Sequence, residues 1–125
     1  MPNVLWVALG GALGSAARYM LSDLVQRATT LYLPVGTFVV NVAGSMLVGV
    51  LTGITLASDP LEHEGVRLFL IVGFCGGFTT FSAFSHETYA LIRAGQVGWA
   101  GLNAGAHLAA GLVAVWLGLA AARAL

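Results

Sequence analysis

Residues 73–85 read Gly-Phe-Cys-Gly-Gly-Phe-Thr-Thr-Phe-Ser-Ala-Phe-Ser, and this stretch decides how the rest of the chain is interpreted. It lies inside a hydrophobic segment, from about Val66 to Ile92, that predicts a helix in lipid. Each glycine weakens such a helix by roughly 1 kcal/mol relative to alanine, and exposed backbone groups in a bilayer need partners inside the protein. The stretch therefore predicts either close helix packing through small residues or a break that lines a cavity or holds an ion. The hydroxyls and phenylalanines after the glycines favour the ion site.

The composition predicts an all-α integral membrane protein. The chain has 125 residues, of which 58% are hydrophobic and 8% charged, with no lysine, whereas a soluble domain carries about 25% charged residues. A net charge of zero argues against a nucleic-acid partner. Because one span takes about 20 residues, we expect a single domain, 1–125, in the cell inner (plasma) membrane. Its four spans are predicted at about 4–26, 36–57, 66–93 and 97–122.

Polar residues interrupt the first two predicted helices. Arg18 lies well inside an apolar run, where a charge costs at least about 2.5–3.5 kcal/mol. It either reaches the headgroups or lines a water-filled entrance that attracts anions. In helix two, Thr37, Asn41 and Ser45 stand four residues apart and form one polar stripe. The Asn41 amide needs hydrogen-bond partners, which either an ion or another helix can supply.

The second half of the third helix carries aromatic and hydroxyl residues together. Phe81 and Phe84 are three apart on one face, and Ser82 and Ser85 repeat that spacing beside them. A phenylalanine pair is usually part of a core. Next to a backbone break, however, the positive ring edges can face a small anion without binding it too tightly. Helix four adds His107, which either bonds a neighbouring helix or donates to an anion.

The polar groups of the spans suit a small hydrated anion. They are mostly neutral donors, and Glu87 is the main carboxylate within a span. An ion stripped of water needs donors to replace its hydration shell, and conduction needs binding that is weak enough to release the ion. The sequence has no nucleophile–base pair, metal-ligand cluster or phosphate loop, so we do not expect an enzyme.

The arginines give almost no orientation signal. With four spans, Arg67 and Arg123 lie on one side and Arg27 and Arg93 on the other, so the positive-inside rule is balanced. Four short helices also form too small a body to enclose a pathway alone. We therefore expect a homodimer, with antiparallel protomers related by a two-fold axis in the membrane plane, in analogy to inverted repeats.

Three segments resemble the CrcB/Fluc family of fluoride ion channels over nearly the full chain. They are residues 10–19 (GGALGSAARY), residues 36–45 (GTFVVNVAGS) and residues 73–85 followed by Glu87. The resemblance implies a dual-topology antiparallel homodimer in the lipid bilayer with two pores. It implies a fluoride-selective channel that passively exports fluoride and lowers its cytoplasmic toxicity.

The resemblance also implies roles for individual positions. Phe81 and Phe84 would form a phenylalanine box, Asn41 would bond fluoride or hold a pore phenylalanine, and Arg18 would line the aqueous vestibule. The positions assigned to the fluoride pathway are Phe81, Phe84, Asn41, Ser82, Thr37, Arg18 and His107. Main-chain carbonyls of Gly76 and Thr79 would hold a structural Na⁺ at the dimer centre.

Two positions depart from the family pattern, and one other class remains as an alternative. Ala83 stands where the family usually has threonine, and His107 stands where helix four usually has a small serine-like residue. The alternative is a small dual-topology proton-coupled multidrug exporter, which needs a membrane-embedded carboxylate in helix one, where this chain has Arg18. A structural membrane subunit without transport is disfavoured by the polar stripes on three helices.

Overall fold

The computed structural model describes residues 2–57 and 64–125, which are helical apart from short connections and contain no strand. Helix α1 covers Pro2–Ala28 and α2 covers Val35–Ala57. The third span is Glu64–Arg93, and the last helix is Val97–Arg123. All four are long and apolar enough to cross a membrane. The predicted all-helical fold with four spans is thus confirmed.

The third span is assembled from several helical pieces. It begins with one α-helical turn at Glu64–Arg67, continues as a π-helix over Leu68–Cys75, and returns to α-helix at Gly76–Phe78; we call residues 64–78 α3. Helix α4 then runs over Phe81–Arg93, and Val97–Arg123 is α5.

Between α3 and α4 the backbone is extended at two residues. Thr79 has φ −91° and ψ 157°, and Thr80 has φ −148° and ψ 115°. The sequence predicted an interruption from about Gly73 to Thr80. Instead, Gly73, Gly76 and Gly77 are helical, so the non-helical backbone begins only after the glycines.

Two of these glycines stay helical because they pack against α1. A Cβ atom at Gly73 would lie 2.8 Å from the Val7 carbonyl oxygen, and one at Gly77 would lie 2.6 Å from the Gly11 carbonyl oxygen. Tertiary contact of this kind overrides the low helix propensity of glycine. At these positions the packing interpretation of the stretch is the correct one.

Helices α2 and α5 form a second close pair. A Cβ at Gly49 would overlap the Val115 carbonyl, and a Cβ at Gly118 would overlap the Met46 carbonyl. Gly95, at φ 78°, makes the tight turn between α4 and α5. This turn brings α4 back along α5 and places the extended segment beside α2.

Candidate functional site

The Asn41 side chain binds the extended segment through two hydrogen bonds. Its Nδ2 donates to the Thr80 carbonyl oxygen at 3.1 Å, and the Thr80 N–H donates to Asn41 Oδ1 at 2.8 Å. The amide thus pairs with the Thr80 backbone as a neighbouring strand would. Of the two interpretations of Asn41, the bond to another part of the protein is present, and one N–H of Nδ2 remains for a further acceptor.

The Thr80 side chain starts α4. Its Oγ1 accepts a 3.1 Å hydrogen bond from the Ala83 N–H, which is the usual role of threonine at a helix N-cap. Ser82 Oγ lies 3.2 Å from the same hydroxyl. Sequence reasoning did not assign Thr80 a role, although a threonine directly before an apolar helical run is an N-cap signal.

The hydrogen bonds of Asn41 and Thr80 leave two carbonyls without their helical donors. In a continuous α-helix the Thr80 N–H would donate to Gly76 and the Ala83 N–H to Thr79, but here both N–H groups donate to side chains. These are the two carbonyls expected to hold Na⁺, and carbonyl oxygen is a suitable ligand for a hard cation. A Cβ at Gly76 would meet no atom of the described chain within 4 Å, so that side of α3 is open.

Arg18 lies next to this break and is half-buried. Its Nε donates to the Gly77 carbonyl oxygen at 3.0 Å. A cation is favourable at a helix C-terminus, where carbonyls lack partners. Arg18, which the family resemblance assigned to a vestibule, thus also caps the C-terminal end of α3.

The two phenylalanines border an open cavity of about 400 Å³. The ring centroids of Phe81 and Phe84 are 5.7 Å apart, with 47° between the ring planes. The cavity lies between α2, the extended segment, α4 and α5. Its lining residues are Asn41, Ser45, Val48, Thr79, Thr80, Phe81, Phe84, Ala104, His107, Leu108 and Val115.

His107 joins the phenylalanines to α5. Its ring centroid is 4.5 Å from that of Phe84, and Phe38 meets it edge-on at 5.2 Å. The Nδ1 atom lies 3.0 Å from the Asn103 carbonyl oxygen, whereas the buried Nε2 has no hydrogen-bond partner in the part of the chain that the structure describes. In a neutral imidazole this bond requires the hydrogen on Nδ1, which leaves Nε2 as an acceptor with no N–H for an anion.

Thr37 lies in a separate polar cluster with Glu87. Its hydroxyl donates a 2.7 Å hydrogen bond to Glu87 Oε1, and Glu87 Oε2 is buried without a partner among residues 2–57 and 64–125. Nearby, Asn103 Nδ2 donates to Thr88 Oγ1 at 2.9 Å. Of the predicted pathway residues, Asn41, Phe81, Phe84 and His107 line the cavity. Ser82 lies beside Thr80, Arg18 binds the Gly77 carbonyl, and Thr37 binds Glu87.

A cation near the break would be held by backbone oxygens. Over the described ranges, no three His, Cys, Asp or Glu side chains come together in a group that could hold a metal ion. His63 stands beside Glu62 and Glu64 in the sequence, a grouping that could bind a metal, but it lies outside the described residues. The carbonyl oxygens of Gly76 and Thr79, which accept no hydrogen bond within residues 2–57 and 64–125, are ligands of the type that suits Na⁺.

These site residues fall within one family match. The model described as "CrcB-like protein, Camphor Resistance (CrcB)" matches residues 5–119. The chain belongs to the CrcB family. With four apolar helices, this CrcB chain is a multi-pass protein of the cell membrane.

Several curated relatives of this CrcB chain bear the name fluoride-specific ion channel FluC. The protein of Nitratidesulfovibrio vulgaris (strain Miyazaki F) is 44% identical over 123 residues, which cover 98% of each chain. That of Solibacter usitatus is 45% identical over 121 residues, covering 95% of this chain and 97% of the relative. That of Methylocella silvestris is 43% identical over 117 residues, covering 93% and 89%.

Proposed function

We propose that this chain is a fluoride-selective channel that passively exports fluoride across the cell membrane and so lowers cytoplasmic fluoride toxicity. The observation that carries the proposal is the near full-length similarity to proteins named fluoride-specific ion channels. Those names also favour a channel over a proton-coupled drug exporter, and over an enzyme. The site supports the same choice, since its cavity is lined by neutral donors and aromatic rings.

Fluoride would exchange its water for uncharged groups of the cavity. Phe81 and Phe84 present ring edges, which carry partial positive charge, and the free N–H of Asn41 adds a donor. Ser82, beside Thr80, offers a further hydrogen bond, and His107 packs against the Phe84 ring. Because these groups carry no fixed positive charge, they can replace hydration without trapping the ion. Thr37 and Arg18 would act at the two ends of this path.

We propose that the functional unit is an antiparallel homodimer with two pores. Phe81 is 79% exposed in the single chain, and the Gly76 side of α3 is open. Both features are expected of surfaces that a second copy covers. The balanced arginines support insertion in both orientations.

The extended segment at Thr79 and Thr80 would then lie at membrane depth, near the dimer centre. Non-helical backbone is tolerated there only where protein or a water-filled cavity surrounds it. The two hydrogen bonds from Asn41 give the Thr80 backbone such a protein partner. The carbonyls of Gly76 and Thr79 from both copies would hold one structural Na⁺ ion. That ion would bind the carbonyl oxygens that lack an N–H donor.

Ion flux from liposomes tests the function. Purified protein is reconstituted into vesicles loaded with fluoride or with chloride, and efflux is followed with ion-selective electrodes. We expect fluoride efflux without chloride efflux, in the absence of a proton gradient. Equal efflux of both halides, or proton-driven uptake of an organic cation, would reject the proposal.

A further inference from the structure

At the break between α3 and α4, two backbone N–H groups bond to side chains instead of to the carbonyls that a continuous helix would give them. Thr80 N–H donates to Asn41 Oδ1 at 2.8 Å and Ala83 N–H to Thr80 Oγ1 at 3.1 Å. Side chains also donate to two carbonyls, Asn41 to that of Thr80 and Arg18 to that of Gly77. The carbonyls of Gly76 and Thr79 have no such side-chain donor among the described residues, and they lose the N–H groups that a continuous helix would supply.

We propose that the side chains of Asn41 and Thr80 are positioning residues for a cation site, because each withdraws the N–H that would otherwise occupy one carbonyl ligand. Asn41 thereby acts on Gly76, and Thr80 acts on Thr79. This inference rests on the proposed Na⁺ site and gives Asn41 a second task besides its place in the ion pathway.

The energetics of the break favour this assignment. A carbonyl without a hydrogen-bond partner costs about 1–3 kcal/mol once it is shielded from water, and the bilayer supplies no water to relieve it. Asn41 Oδ1 and Thr80 Oγ1 hold the two N–H groups that a continuous helix would direct to the Gly76 and Thr79 carbonyls. Those two carbonyl oxygens therefore stay available, and carbonyl oxygen is a suitable ligand for a hard cation.

Substitutions at Thr80 distinguish the effect of the hydroxyl acceptor from the effect of side-chain volume. Thr80→Val removes the acceptor and frees the Ala83 N–H to return to the Thr79 carbonyl, whereas Thr80→Ser keeps the acceptor. Thr88→Val is the matched control, because Thr88 lies on the same helix and its hydroxyl donates to the Phe84 carbonyl at 2.7 Å, away from the break.

The measurement is Na⁺ binding to the purified full-length protein in detergent, by equilibrium dialysis with radioactive Na⁺ at constant ionic strength. For Thr80→Val we expect the half-saturating Na⁺ concentration to rise about tenfold or more. Thr80→Ser and Thr88→Val should stay within about threefold of the parent protein, a change too small to reflect loss of a ligand.

A second pair of variants tests Asn41. These variants also keep the inference testable if Thr80→Val does not fold. Asn41→Leu removes the Oδ1 acceptor and should weaken Na⁺ binding about tenfold or more, whereas Asn41→Asp keeps an acceptor oxygen and should bind Na⁺ at least as tightly as the parent. Unchanged Na⁺ affinity in Thr80→Val or Asn41→Leu would overturn the inference. If the parent protein binds no Na⁺ while conducting fluoride, the cation site fails and the channel proposal stands.

Discussion

The imidazole of His107 lies against the ring of Phe84, with 4.5 Å between the ring centroids and 47° between the ring planes. Phe38 meets the same imidazole edge-on from α2. A residue of α5 thus packs against one of the two cavity phenylalanines. A serine at this position would be too small to make these contacts.

Removing the ring at position 107 should therefore loosen Phe84. Aromatic pairs contribute about 0.5–1.5 kcal/mol beyond their buried area, so we expect His107→Ala to lower fluoride efflux from liposomes by about three- to tenfold. His86→Ala is the control, since His86 is exposed and does not line the cavity. Efflux that is equally reduced in both variants would argue against this role of His107.

Phe81 should be required for conduction and not for folding. Its side chain is 79% exposed in the single chain and borders the cavity, so Phe81→Ile removes the ring edges with little loss of packing inside one chain. We expect no measurable fluoride efflux and an unchanged elution volume in size-exclusion chromatography. The matched variant Phe69→Ile changes a phenylalanine outside the cavity and should still conduct; normal efflux through Phe81→Ile would remove Phe81 from the pathway.

Asn41→Asp should greatly impair fluoride flux. The substitution replaces the Nδ2 donor by an oxygen that faces the Thr80 carbonyl, and it places negative charge on the anion pathway. A like charge within a low-dielectric site opposes an entering anion by several kcal/mol, so we expect a loss of at least about a hundredfold in liposome efflux. Ser45→Ala, which changes a neutral residue of the same cavity, is the control and should retain most of the flux.

Arg18 should stabilise the fold through the C-terminal end of α3. Arg18→Met leaves the Gly77 carbonyl without its 3.0 Å partner, and we expect it to lower the free energy of unfolding by about 1–3 kcal/mol. Arg27→Met is the control, because the Arg27–Asp23 ion pair is on the surface, with 78% of the arginine side chain exposed. Such pairs contribute about 0–1 kcal/mol. Thermal unfolding in detergent compares the two, and equal melting temperatures would contradict the assignment.

Close packing of α1 against α3 should make Gly14 intolerant of a methyl group. A Cβ there would overlap the Phe74 carbonyl, so we expect Gly14→Ala to destabilise the protein by about 1–3 kcal/mol through overpacking. At Gly98 a Cβ would meet no described atom within 4 Å, and Gly98→Ala should leave stability equal or slightly higher. A fluorescence-detected melt measures both, and equal stability of the two variants would refute the packing argument.

Hydropathy and polar spacing were sufficient to predict the four spans, because both depend only on local sequence. The predicted helix bounds differ from the observed ones by at most two residues at each end. Spacing also brought out Asn41, Phe81, Phe84 and His107, which do line one cavity.

The position of the break could not be read from glycine content. Gly73 and Gly77 are kept helical by α1, which the sequence of the third span does not reveal. The chain leaves the helix at Thr79 and Thr80 because a residue of α2 binds the backbone there. Likewise, the hydrogen bond from Thr37 to Glu87 joins residues fifty positions apart, which the spacing of polar residues within one helix does not reveal.

Because Leu68–Cys75 is a π-helix, the number of residues in this part of the third span helps to set the direction in which the site residues face. A π-helical turn accommodates an extra residue compared with an α-helical one, and one residue corresponds to about 100° of rotation in an α-helix. A single deletion within the π-helix can be absorbed by its tightening to α-helix. The same deletion in the α-helical turn Gly76–Phe78 would leave the segment hydrophobic and long enough to span, yet would rotate the two threonines by about 100° away from α2. Insertions and deletions between the π-helix and the threonines are therefore constrained by the rotation they impose on the site residues, which a hydropathy profile does not record.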